Sequence, residues 1–77
     1  MSEYHLSIKG QIQLEDYSSI HDYMGIVDRN DDFIIILNDV DEQNYNIICT
    51  MLKDSKFNII STYRDERGCY INARKLN

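Results

Sequence analysis

The sequence predicts an α+β protein, a two-layer sandwich in which a mostly antiparallel sheet of about four or five strands carries one main helix on one face. Three observations predict it. Tyr4, Leu6, Ile8, Gly10, Ile12 and Leu14 alternate with His5, Ser7, Lys9, Gln11 and Gln13. The apolar run Phe33-Ile34-Ile35-Ile36-Leu37 leads through Asn38-Asp39 into a segment of helical spacing. Residues 57–75 then read as two strands joined at Asp65-Glu66-Arg67-Gly68.

Taken in order, residues 3–14 have a period of two and predict a strand with one buried face, with a bulge or bend at Gly10. In 15–32 the apolar residues Tyr17, Ile20, Tyr23 and Met24 recur at three and four, which suits a short helix over 15–22. Residues 23–28 are then expected to form a strand, paired in a hairpin with 33–38 across the polar turn Arg29-Asn30-Asp31-Asp32. A simpler reading omits this helix and leaves a meander, one helix and a hairpin. Phe33–Leu37 is apolar on both faces, as in a central strand covered on each side, and its isoleucines suit a crowded pleated surface.

The main helix is predicted at 40–55. Asp39 is the expected cap, with Glu42 three residues on completing a capping box. Val40, Ile47, Ile48, Met51 and Leu52 form its apolar stripe, bordered by Tyr45 and Cys49. In the final hairpin, pairing Tyr63 with Cys69, Ser61 with Ile71 and Ile59 with Ala73 gathers apolar residues on one face. Ile60, Thr62, Tyr70 and Asn72 then fall on the other. A slip of one residue would invert this arrangement.

The expected order is therefore β-α-β-β-α-β-β, whose first six elements follow the ferredoxin-like order. Residues 33–75, and in particular the stretches FNIISTY and RDERGCYI, resemble the first βαββ half of an ACT-type regulatory domain. That resemblance implies an amino-acid-sensing module whose ligand approaches the loop of Asn38, Asp39 and Asp41. The loop here is Asn38-Asp39-Val40-Asp41, where the family usually carries glycine.

Composition restricts the function classes. The chain has 77 residues, a formal net charge of −5 and 43% hydrophobic residues, which is an ordinary globular composition for a single domain. An acidic chain repels phosphate backbones, so nucleic-acid binding is disfavoured. Acids concentrate at Asp28, Asp31, Asp32, Asp39, Asp41 and Glu42, either as solvated loop and helix-start charges or as a patch for a basic partner. The sequence holds no bilayer-length apolar run and no charged-then-apolar leader, so a cytoplasmic location and no membrane contact are expected. Cys49 and Cys69 have the spacing of neither a disulfide framework nor a zinc site.

No catalytic constellation emerges. His5 and His21 have no second ligand at metal spacing, and Ser18-Ser19 beside His21-Asp22 lacks a nucleophile elbow. With no GxGxxG or P-loop pattern, neither a cofactor nor a metal is expected, and the chain is read as a non-enzyme. Tyr63 and Tyr70, beside Arg64, Arg67 and Arg74, suit cross-strand packing, base stacking or a protein-binding hot spot. Acidity favours protein over nucleic acid. The candidate partner surface is Ile60, Thr62, Tyr63, Tyr70, Arg64 and Arg74. One helix cannot hide both faces of Phe33–Leu37, so a homodimer or another protein partner is expected to cover the second.

Overall fold

In the computed structural model, which describes residues 2–76, the chain runs β1 (Glu3–Lys9), α1 (Leu14–Ile26), β2 (Asp32–Asn38), α2 (Glu42–Asp54), β3 (Phe57–Arg64) and β4 (Gly68–Lys75). The four strands form one sheet in the order β1-β2-β4-β3. The β1–β2 ladder is parallel, and the β2–β4 and β3–β4 ladders are antiparallel. Both helices pack on the same face: Ile20, Met24, Ile48 and Leu52 join Ile8, Phe33, Ile35, Leu37, Phe57, Ile71 and Ala73 in one core. The two-layer α+β class is thus as the composition and patterning predicted.

The order is not ferredoxin-like, because no strand occupies residues 23–28. A single helix covers 14–26 instead of 15–22, so the expected hairpin of 23–28 with 33–38 is absent, and β2 instead pairs parallel with β1 after the α1 crossover. The physical reason is the spacing Tyr17, Ile20, Tyr23, Met24 and Val27, which keeps one helical stripe across the proposed break. Ile20 and Val27 are fully buried and Met24 nearly so. Lys75, reaching from β4, places Nζ 3.2 Å from the carbonyls of both Met24 and Val27. It supplies the positive charge that the last turn of α1 lacks in its own sequence.

The first strand is also shorter than its alternation implied. Gly10 adopts φ +76°, a left-handed conformation that ends β1, and its N–H donates to the Asn38 carbonyl at 2.8 Å. Ile12 remains buried, but Leu14 opens α1 and faces solvent. Asp39 does not cap α2. It sits at φ +59° at the end of β2, and Asp41 is the cap, accepting from the Asn44 N–H at 2.8 Å.

In the last hairpin, Ile59 pairs with Ala73 as expected, but a bulge at Ile60 shifts every pair beyond it. Ser61 opposes Asn72, Thr62 opposes Ile71, Tyr63 opposes Tyr70 and Arg64 opposes Cys69. Thr62 therefore lies on the helix side with Ile71, while Tyr63 and Ser61 move to the open side. Gly68 permits the tight return. A Cβ there would lie 2.9 Å from the Asn38 Cα and closer still to the Leu37 carbonyl oxygen.

The β1–β2 end is fastened by Asp31, which is buried between the loop after α1 and the start of the chain. Its carboxylate accepts from the Asp28 N–H at 3.0 Å and the Ser2 N–H at 2.8 Å. These bonds, Asp28's first, hold its pKa below the ordinary carboxylate value. A carboxylate with a depressed folded-state pKa contributes stability at neutral pH that is lost as pH falls through that value. Asp31→Asn, with one acceptor oxygen for two donors, is expected to melt below the wild type at pH 7. The difference should begin to shrink as pH falls through about 4, the ordinary carboxylate value, and close only below the depressed pKa of folded Asp31. Thermal melts followed by circular dichroism across pH 2–7 check this.

Candidate functional site

The surface with most to explain is the sheet face opposite the helices. Burial along β2 alternates strictly: Phe33, Ile35 and Leu37 are fully covered, whereas Asp32, Ile34, Ile36 and Asn38 are only half-covered. The second apolar face of the run is therefore present and has no layer over it.

Register arranges this open face in four rows across the strands. At one end lie Glu3, Asp32, Arg74 and Asn58. Next come His5, Ile34, Asn72 and Ser61, then Ser7, Ile36, Tyr70 and Tyr63, and finally Lys9, Asn38 and Gly68. The apolar and aromatic groups occupy the middle two rows. Tyr63 and Tyr70 stack with centroids 5.5 Å apart and an interplanar angle of 23°, yet stay 52% and 42% exposed. Large rings held in one orientation at a half-exposed position resemble the anchors that dominate protein interfaces. Below them a hollow of about 290 Å³ is lined in part by Ile36, Asn38, Asp65 and Arg67.

The charges on this face cancel: Glu3 and Asp32 against Lys9 and Arg74. The excess acid of the chain lies elsewhere. Arg74 is committed within its own chain, donating from Nε at 2.9 Å and Nη2 at 2.7 Å to Asp32 Oδ1. His5 Nε2 lies 2.9 Å from Glu3 Oε1. One polar atom is conspicuous in the middle of the face. Asn72 Oδ1 is covered and has no hydrogen-bond partner among the described residues, a state that costs free energy in any folded protein.

The six residues expected to form a partner surface are thus divided. Tyr63, Tyr70 and Arg74 share the open face. Thr62 and Arg64 face the helices, with the Arg64 guanidinium 4.8 Å above the Tyr45 ring. Ile60 occupies the bulge and is 48% exposed. Ile34, Ile36 and Asn72, which complete the open face with the tyrosines, were outside the expected site. Their signal was the period-two alternation of β2, which assigns Ile34 and Ile36 to one face.

The loop residues Asn38, Asp39 and Asp41 do not converge. Asn38 ends the open face, Asp39 takes a left-handed turn and Asp41 caps α2. The hollow beside Asp39 holds about 120 Å³, below the roughly 300 Å³ at which small-molecule pockets usually begin. Burial pushes the Cys69 thiol up and the Tyr45 phenol up, so neither is activated as a nucleophile. Both cysteines are free. Among the described residues no cluster of three His, Cys, Asp or Glu side chains is placed to hold a metal, and no helix is long and apolar enough to cross a membrane.

Other exposed apolar groups are dispersed. Leu14 and Ile26 lie at the two ends of α1, and Ile47 lies along α2 in a shallow groove with Met51, Gln43 and Asn46. Isolated exposed hydrophobes are normal on any surface. No family model matches the chain, and no curated protein or solved structure matches it either.

Proposed function

We propose that this chain is a small, non-catalytic binding or regulatory module that works through protein contacts made by its uncovered sheet face. The observation that carries the reading is the pairing of a half-covered Ile34-Ile36 row with the stacked Tyr63–Tyr70 pair, on the one face that no helix covers. Such apolar and aromatic surface, framed by charges, is the composition of a protein interface core and rim. The internal pairing of Arg74 with Asp32 argues against a phosphate-tracking role for the same face.

Tyr70→Asp tests the reading. Tyr70 is 42% exposed and lies outside the core, so the variant should still fold, losing about 1 kcal/mol with the stack on Tyr63. Affinity capture from the native host should recover specific proteins with the wild type and about tenfold less of them with the variant. Equal recovery by both chains would contradict the proposal. An amino-acid sensor at the Asn38–Asp41 loop predicts instead a reproducible rise in melting temperature with a free amino acid.

A further inference from the structure

The four rows of the open face are complementary to themselves in one orientation. Turning a second sheet over about a two-fold axis that crosses the strands keeps each strand opposite its own copy and reverses the rows. Glu3 of one chain then lies over Lys9 of the other, and Lys9 over Glu3. Ile34 meets Ile36, Ser61 meets Tyr63, and Asn72 meets Tyr70. The Tyr70 hydroxyl is a donor, and Asn72 Oδ1 is the covered acceptor without a partner among the described residues; this orientation places the two residues opposite each other. With the axis parallel to the strands, the rows would not reverse and β1 would lie over β3: Glu3 would face Asn58 instead of Lys9, and Ile34 would face Asn72 instead of Ile36.

Resting on the protein-contact reading above, we infer that the occupant of this face is a second copy of the chain, stacked with its strands antiparallel to the first. The closure is isologous, as in most homodimers. Strand spacing and rise give a face of roughly 450 Å² per copy. That places the pair at the low end of specific interfaces, so a dissociation constant on the order of tens of micromolar is expected.

Sedimentation equilibrium of the purified chain, from about 5 to 500 µM, tests this. The wild type should move from the 9.1 kDa chain mass towards twice that value. Glu3→Lys and Lys9→Glu each place like charges together at two symmetric contacts, and each should raise the dissociation constant about tenfold. The double exchange should restore it. Tyr70→Phe, which keeps the ring and loses the donor, should weaken the pair severalfold.

A wild type that stays monomeric at 500 µM overturns the inference, as does a dimer indifferent to both single exchanges. In either event the Tyr70→Asp capture experiment separates the two claims. Face-dependent capture of another protein preserves the protein-contact reading, and its absence removes that reading as well.

Discussion

Replacing Phe33 with alanine is expected to cost about 3–5 kcal/mol, a large part of the stability available to a domain this small. Phe33 has no exposed surface and joins the two layers near the middle of the sheet. Its ring meets Tyr23 of α1 edge-on at 5.6 Å and Phe57 of β3 at 6.1 Å. Its strand neighbours are Tyr4 and Ala73. Truncation leaves a void bounded by α1 and three strands, which rigid ladders on both sides keep from collapsing. Ile34→Ala, one residue along on the half-covered face, should cost less than half as much. Urea unfolding followed by circular dichroism compares the two. Equal losses would mean that the second face is as tightly packed as the first.

Gly68→Ala is expected to be the most damaging single-methyl change, at about 3 kcal/mol or more. The added Cβ would press on the Leu37 carbonyl and lie 2.9 Å from the Asn38 Cα, both backbone groups of the central strand. Neither can give way without breaking the Asn38–Gly68 end of the β2–β4 ladder. Asp65 Oδ1 also accepts from the Arg67 and Gly68 N–H groups at 2.8 and 3.1 Å, fixing the turn around that glycine. Relief by opening the turn would displace the adjoining Tyr70 and its stack on Tyr63. The variant should therefore lose stability in urea and, where it folds, show altered tyrosine near-ultraviolet dichroism. By contrast, Gly10→Ala meets no neighbouring atom within 4 Å; its cost is confined to the left-handed φ, roughly 1 kcal/mol.

Much of the fold was readable because pattern and packing agree there. The period of two in Tyr4, Leu6 and Ile8 became β1, and the stripe through Ile48 and Leu52 became the buried face of α2. The Gly68 turn closed the hairpin, since glycine alone fits against Leu37. The failures occur where one residue belongs to two periods. Tyr23 and Met24 fit either the end of a helix or the start of a strand. Only the tertiary burial of Met24 and Val27 against the sheet selects the helix.

The bulge at Ile60 is a one-residue event with no local signature in Asn58-Ile59-Ile60-Ser61, yet it reassigns every side chain from Ser61 to Arg64. For that reason Tyr63 and Tyr70 share a face that pairing by alternation had separated. The open face itself was legible in outline, because an apolar run on both sides of a strand demands two covers. Its composition was legible only in part: alternation put Asn72 beside Tyr70, but Ser61 and Tyr63 join the face only through the bulge, and Glu3 and Lys9 only through the β1–β2 register.

Hydroxyl-radical footprinting of the chain as recovered from its host, against the same chain diluted to below 1 µM, tests the central claim most directly. The account predicts protection of Ile34, Ile36, Tyr63 and Tyr70 in the recovered material, with Leu14 and Ile47 labelled alike in both. Unchanged labelling of the two tyrosines, or protection centred on Ile47 and Met51 along α2, would contradict it.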